Sequence, residues 1–410
     1  MRIAITSNGP GEFSGWVRPL VSALLRLAPD TEVSLFFVPD DYATGREPEV
    51  ARRLFPRARV VPAKSYLRFA LGAAVAGAPS RTDVVQYLGG DLMHAGRVRA
   101  RLGGRGRSYK FGNKRIAKQF DGAYAVDEKN AAELQRAGFA RERIDVIGNL
   151  AVDGALGEAA GVFSTSPGDA ALAPDGILIM PGTRRHEIAN LIPMFLQMAV
   201  RLREARPDLK VAFALSPFTD EDEIARALAL GGEYRNVWGT RGTVVAHGAG
   251  IALVAQSGGA SFPVVRDAMR HAAHARLVVT LPGTKCIELA ALGVPTIVCV
   301  PLNAPEGVVV NGPFQYVDRI PLAGTFLKRS LVVAVDARFP ITAQPNIDAG
   351  EMLMPELRGT LMPGAIARRV AAYADDAEAR ERDGRRLAAL YAAHAGAAER
   401  MARSLLEAYA

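Results

Sequence analysis

Apolar residues recur along this chain in two alternating rhythms. Short, nearly continuous apolar runs at Arg2–Ser7, Glu32–Val38, Arg59–Pro62, Val84–Leu88, Gly122–Val126 and Ile144–Gly148 have the length of buried strands. Between them the spacing is helical. Val17, Leu20, Leu24 and Leu27 fall on one face of a helix over Trp16–Leu27, and Asp127–Ala137 predicts another. Strand and helix in alternation are the pattern of a parallel sheet covered by helices. From Ala151 to Asp175 the pattern lapses into Gly, Ala, Ser and Pro, which predicts a linker. The alternation then restarts, with strands expected at Gly176–Met180, Lys210–Leu215, Gly250–Ala255, Leu277–Thr280 and Thr296–Val300. Ile188, Leu191, Ile192, Phe195, Met198, Ala199 and Leu202 make a helical stripe, and Pro193 inside it predicts a kink or a restart. The expected architecture is α/β: an open domain over 1–150, a linker over 151–175, a second open domain over 176–364 and a helical segment over 365–410. Two such domains facing each other would form a cleft, with ligands beyond the carboxyl ends of the strands.

Composition narrows the function classes. Of 410 residues, 49% are hydrophobic and 22% charged, the balance of a globular protein and not of a disordered chain. Two cysteines, Cys286 and Cys299, build neither a disulfide framework nor a four-ligand zinc site, and fit a reducing compartment. The net charge of +8 points to anionic partners. No targeting segment is read, and no run approaches the ~20 apolar residues of a spanning helix. The expectation is a cytoplasmic protein that meets a membrane, if at all, from its surface.

Two segments carry the candidate binding chemistry. In Ile177–Ile188 a buried strand ends in Pro181-Gly182-Thr183 and a helix begins at once. Free N–H groups and the dipole at a helix start favour an anion, and Arg184 or Arg185 could add a charge-assisted bond to a phosphate. The bland alternative is a capped helix with solvated arginines. In Leu277–Glu288 the same design recurs: strand, Pro282-Gly283-Thr284, helix. Glu288, four residues after Thr284, could accept two ribose hydroxyls. The bland alternative is a capping box, but its spacing of three would put the acid where Ile287 stands.

Four motifs in order resemble the lipid-A-disaccharide synthase family of GT-B glycosyltransferases. They are Gly11-Glu12-Phe13-Ser14-Gly15 after the first strand, Pro181-Gly182-Thr183-Arg184-Arg185-His186-Glu187-Ile188, Pro282-Gly283-Thr284-Lys285-Cys286-Ile287-Glu288, and Pro345-Asn346-Ile347 followed by Pro355-Glu356-Leu357. The resemblance implies two Rossmann-like domains facing a cleft, a UDP-sugar donor bound mainly by the second, no separate cofactor and no metal, and an acceptor approaching from the first. It implies that Thr183, Arg184, Gly283 and Thr284 serve the diphosphate, that Glu288 holds the ribose, and that Asn346 and Glu356 line the donor pocket. The departures fall mostly in the acceptor half. The family's Asp-x-Pro-Asp-Phe-Asn is here Leu88-Gly89-Gly90-Asp91-Leu92-Met93, Trp16 stands where aspartate is usual, and Gly148-Asn149 replaces Gly-His. In the donor half, Arg358-Gly359 replaces the usual Leu-Gln. A different acceptor is therefore expected.

Asp91 is the candidate general base, with Glu12 and His94 next; the plain alternatives are a helix cap for Asp91 and a packing role for His94. Arg97–Lys118 holds nine basic residues and no acidic one, interleaved with glycine, and reads as a loop. An anionic membrane surface or a phosphorylated acceptor fits it better than nucleic acid, because few aromatics accompany the charges; a solvated basic face is the plain alternative. No metal site is implied: Asp220-Glu221-Asp222 reads as a helix start, and His271 and His274 lack a third ligand. The expected activity is inverting, metal-independent transfer of a sugar from a UDP-sugar to a lipid-linked or phosphorylated acceptor, in a monomer or an oligomer. Its rivals are a UDP-sugar 2-epimerase and a non-catalytic UDP-sugar-binding protein of the membrane surface.

Overall fold

The computed structural model describes residues 1–40, 43–163, 175–303 and 341–409. The chain divides into two compact units, Met1–Thr165 with Tyr391–Ala410, and Ser166–Leu390. In the first unit the strands are β1 (Arg2–Ser7), β2 (Glu32–Phe37), β3 (Arg59–Val61), β4 (Val84–Tyr87), β5 (Arg105–Tyr109), β6 (Gly122–Ala125) and β7 (Ile144–Val146). They form one parallel sheet in the order β3-β2-β1-β4-β5-β6-β7. β1 runs in register with β2 from Arg2↔Glu32 to Ser7↔Phe37 and with β4 from Ile3↔Val84 to Thr6↔Tyr87. The central strands are buried throughout, which is why they read as apolar runs and not as alternating ones.

The second unit holds β8 (Ile177–Ile179), β9 (Val211–Ala214), β10 (Gly242–His247), β11 (Gly250–Ala255), β12 (Ser261–Val265), β13 (Leu277–Thr280), β14 (Thr296–Pro301) and β15 (Glu356–Gly359), in the order β10-β11-β12-β9-β8-β13-β14-β15. β12, β9, β8, β13, β14 and β15 pair in parallel, neighbour to neighbour, whereas β10 with β11 and β11 with β12 pair antiparallel at one edge. The core lies between this sheet and the helix Arg185–Ala205, whose Ile188, Ile192, Phe195, Met198, Ala199 and Leu202 are buried together.

Several expectations are corrected. The helix Arg185–Ala205 runs unbroken through Pro193, in place of a restart. The helix expected over Trp16–Leu27 is divided into a π-helical turn, Phe13–Val17, and an α-helix, Arg18–Leu27. Residues 150–159, expected mostly in a linker, form a helix, Leu150–Ala159, while 164–174 lie outside the described residues, as do 304–340. The terminal segment is shared between the units: Pro363–Asp375 packs on Arg185–Ala205, and Ala397–Ala408 packs on Arg18–Leu27.

The basic run is a loop only in part. Residues 97–102 end the helix Leu92–Leu102 and 105–109 form β5, while 110–116 are loop and turn, as expected. Several of its cations are engaged locally. Arg107 lies over the Tyr124 ring and reaches Asp145 Oδ2 at 3.5 Å; Arg99 pairs with Asp121 at 3.1 Å; Arg101 Nη1 donates to the Phe69 carbonyl at 2.8 Å. Arg97, Lys114, Arg115 and Lys118 are exposed. Among the described residues no helix is long and apolar enough to cross a membrane.

A buried ion pair fastens the first unit. Arg18 Nη2 donates to Glu158 Oε2 at 2.6 Å, with the two side chains 5% and 8% exposed, and the guanidinium lies over the Phe163 ring. It joins the helices Arg18–Leu27 and Leu150–Ala159. Removing one partner strands the other charge in the interior, so Glu158→Ala is expected to lower stability by about 3–5 kcal/mol, read as a shift of the urea unfolding midpoint.

Candidate functional site

In each unit the first strand is flanked on both sides: β1 by β2 and β4, β8 by β9 and β13. At such a reversal of strand order the turns leaving the two central strands lie side by side, and ligands of open α/β sheets bind there. The first three sequence motifs fall at these two places; the fourth lies on the helix Gln344–Ala349 and the edge strand β15. In the second unit the turns are Pro181–Arg184 after β8 and Leu281–Gly283 after β13.

The turn after β8 fills its own anion corner. Glu187 Oε2 accepts from the Thr183 and Arg184 amides at 2.9 and 3.0 Å, and Arg184 Nη1 approaches Glu187 Oε1 at 3.3 Å. Gly182, at φ +100°, makes room for it: a Cβ there would lie 2.3 Å from Glu187 Oε2. The capped-helix alternative thus describes these amides, and the half-exposed Arg184 guanidinium is itself paired with Glu187.

The turn after β13 is built differently. Gly283 stands at the N-cap of the helix Thr284–Ala291 with no side chain capping it, and a Cβ on Gly283 would meet nothing within 4 Å. Glu288, 3% exposed, lies one turn inside that helix, and its Oε2 pairs with Lys285 Nζ at 2.5 Å. A helix start without a side-chain cap and a buried carboxylate one turn away, paired with Lys285, are therefore brought together on one element.

Asn346 and Glu356 are also neighbours, but they face inward. Glu356 accepts from the Thr342 and Ala343 amides, the Thr342 hydroxyl, Asn346 Nδ2 at 3.1 Å and Arg358 Nη1 at 2.7 Å. Asn346 is fully buried, donating to the Met354 carbonyl and accepting from the Met354 amide, both at 2.7 Å. Their polar atoms are used in locking the helix Gln344–Ala349 to β15. Arg358, a departure from the family pattern, belongs to this network.

In the first unit the turns are Asn8–Glu12 after β1 and Leu88–Asp91 after β4. Asn8 Nδ2 donates to Asp40 Oδ2 at 3.1 Å, and Tyr87 OH donates to the Gly90 carbonyl at 2.8 Å. Burial pushes the Tyr87 phenol up, and the charges of Glu12, Asp91 and Asp40 push it further, so three carboxylates surround this point. Gly89 and Gly90, at φ +141° and +79°, are steric necessities: a Cβ on the first would lie 2.3 Å from Asn8 Oδ1, and on the second 2.3 Å from Val38 Cγ2. Ser7 Oγ and Asn8 Oδ1 are buried without a hydrogen-bond partner among the described residues.

Asp91 is exposed and caps the helix Leu92–Leu102, its Oδ1 accepting from the Met93 amide at 2.8 Å. The capping alternative is therefore realised, and one carboxylate oxygen is left over. His94 is half-buried, with Nδ1 2.8 Å from Tyr66 OH. Trp16, where the family has aspartate, is buried edge-on against Tyr109, which makes it a packing residue. Sequence reasoning missed Asn8, Asp40 and Tyr66. Asn8 lies three residues before the motif Gly11–Gly15, but Asp40 and Tyr66 sit in no motif and only the fold brings them in. Among the described residues no three His, Cys, Asp or Glu side chains are grouped to hold a metal.

Comparison with known proteins bears on the fold. The UDP-GlcNAc 2-epimerase of Neisseria meningitidis, solved with UDP-GlcNAc, superposes with a TM-score of 0.56 at 10% identity over 99% of this chain and 100% of that one. A second UDP-N-acetylglucosamine 2-epimerase gives 0.52 at 12% identity over 100% and 96%. The fold is two-domain, Rossmann-like and of the GT-B kind. In sequence, a lipid-A-disaccharide synthase of Geobacter sulfurreducens is 27% identical over 223 residues, which are 53% of this chain. The matched stretch covers 43% of that relative, less than half its length. No protein-family model matches the chain.

The Glu356 carboxyl yields a pH-dependent prediction. Burial pushes it up, but the hydrogen bonds from Ala343, Thr342 and Asn346 outweigh burial and hold it below its ordinary 4.5. A depressed folded value means the bonds add stability that is fully present above pH 4.5 and is lost as the pH falls through the lowered value. Glu356→Gln is expected to cost about 1–3 kcal/mol at pH 7, with the gap to wild type closing below that range in thermal melts taken from neutral to acid pH.

Proposed function

We propose that this protein is a UDP-sugar-dependent glycosyltransferase that moves a sugar, with inversion, onto a hydroxyl of a lipid-linked or phosphorylated acceptor. The observation that carries the reading is the helix Thr284–Ala291: an uncapped start after Gly283 suits a phosphate, and buried Glu288 one turn on suits the ribose hydroxyls. Arg184 adds a charge-assisted bond to the diphosphate from the neighbouring turn. The acceptor hydroxyl loses its proton to a carboxylate, its oxygen attacks the anomeric carbon, and the bond to UDP breaks with its electron pair on the departing phosphate. The helix start and Arg184 hold that charge. Asp91 is the proposed base, with Glu12, whose charge also acts on Tyr87, as the next candidate. The partial likeness to a lipid-A-disaccharide synthase supports transfer. Exposed Arg97, Lys114, Arg115 and Lys118 are what remains to meet an anionic membrane surface, and a cytoplasmic site of action fits that reading.

A second reading, a UDP-sugar 2-epimerase, is favoured by the full-length likeness of fold to enzymes of that name. The two separate in one assay. UDP-GlcNAc incubated without any acceptor gives its epimer if the second reading holds, and stays unchanged if the first does.

Loss of the buried carboxylate is expected to weaken UDP. Glu288→Ala should cost roughly 1.5–3 kcal/mol of affinity, the contribution of hydrogen bonds to a charged group, with folding retained. Unchanged UDP affinity by calorimetry in a folded variant rejects the ribose assignment. For Asp91 the cap and the base part company. Asparagine caps as well as aspartate but takes no proton, so Asp91→Asn is expected to melt and bind UDP as wild type does while turnover falls ~10²–10⁴-fold. Turnover retained with the true acceptor moves the base to Glu12.

A further inference from the structure

Tyr66 lies in the helix Ala63–Ala70 and His94 in the first turn of Leu92–Leu102. The Tyr66 ring is 1% exposed, its hydroxyl is 2.8 Å from His94 Nδ1, and the two rings meet edge to face, 5.2 Å apart at 90°. A buried hydroxyl has to place its proton on an acceptor or lose the hydration it gave up. Burial pushes the Tyr66 phenol up to about 12, so it keeps its proton at neutral pH. Nδ1 is the partner that hydroxyl has among the described residues, so the phenol donates and the imidazole accepts.

That assignment fixes the imidazole. A ring nitrogen that accepts carries no proton, and a neutral imidazole then holds its proton on Nε2. Nε2 makes no hydrogen bond among the described residues, and the ring is half-buried. Burial lowers the imidazole from 6.5, the charges of Asp91 and Asp40 oppose that, and Arg97 adds to it; the net direction is down, so the ring is neutral at pH 7. In this state His94 is a donor beside two carboxylates. To act as a base it would have to take a second proton at Nδ1, where Tyr66 donates.

We propose that Tyr66 is a positioning residue that locks His94 as an Nε2–H donor, and that this donor holds the acceptor's hydroxyl oxygen while the second carboxylate oxygen of Asp91 takes the hydroxyl proton. The inference rests on the transferase reading. It removes His94 from the candidate bases and gives it a contact to the attacking oxygen. The proton moves from the acceptor oxygen to Asp91, that oxygen bonds to the anomeric carbon, and UDP departs with the electron pair of the broken bond. His94 stays neutral throughout.

Nitrogen NMR of the histidine side chains tests the lock without any turnover. Wild type is expected to show His94 as a single Nε2–H tautomer at pH 7–8, and Tyr66→Phe to show a mixture of the two tautomers. Identical His94 signals in both overturn the lock. Turnover with a UDP-sugar and a hydroxyl acceptor tests the donor. His94→Gln keeps an amide N–H, so its kcat is expected within about tenfold of wild type, with the acid limb of the pH profile in place. A His94→Gln loss of ~10²–10⁴-fold together with disappearance of that limb makes His94 the base and overturns the proposal. Wild type inert toward every UDP-sugar and acceptor overturns the transferase reading and His94's contact with it, while the NMR comparison still decides whether Tyr66 sets the tautomer.

Discussion

A parallel sheet grows from its first strand in one direction and then, after a return across the sheet, in the other. Where that reversal occurs, two strand-to-helix turns are left side by side with no crossover above them, and their backbone groups need partners. Both units obey this constraint: β2 and β4 flank β1, and β9 and β13 flank β8. The family-like motifs Gly11–Gly15, Pro181–Ile188 and Pro282–Glu288, and the turn that holds Asp91, sit at the four turns so produced. The site chemistry is therefore a consequence of strand order first and of side-chain identity second.

The four turns satisfy their backbone in different ways, and the differences assign the work. After β8, Glu187 folds back onto two amides, and Gly182 exists in its left-handed conformation to let it in. After β4, Asp91 caps the following helix while Gly89 and Gly90 let the turn lie against Asn8 and Val38. After β1, the polypeptide enters a π-helical turn whose Trp16 packs on Tyr109. After β13, no side chain caps the helix, and a buried carboxylate stands one turn inside it. A turn left uncapped beside a buried charge is where a ligand has the most to supply, which is why the nucleotide is proposed there.

The donor turns were legible because their signal is local. An apolar strand, Pro-Gly-Thr and a helical stripe follow one another within a dozen residues, and φ-permissive glycine between strand and helix has one geometric meaning. The strand β5 was not legible, because Arg105, Arg107 and the glycine beside each read as a solvated loop. Arg107 becomes tolerable in a sheet only when Tyr124 lies beneath its guanidinium and Asp145 lies within reach, and both come from later strands. Asn346 and Glu356 were named through the family resemblance and not as what they are. The resemblance sets them in one pocket, but that Thr342, Ala343 and Met354 consume their polar atoms depends on how the chain closes around them.

The sequence by itself determined the two α/β units, most strand positions and the turns at which a ligand would be met. It could do so because burial on both sheet faces and the strand-to-helix geometry leave period and glycine signatures within a few residues. Tertiary structure alone decided which polar groups at those turns are already satisfied and which are not. It turned Glu187 inward, set Lys285 on Glu288, and brought Tyr66, from a helix that carries no motif, onto the Nδ1 of His94. A hydrogen bond between residues 28 apart in the chain leaves no trace in local spacing, and the protonation state of an imidazole depends on which of its two nitrogens that bond reaches.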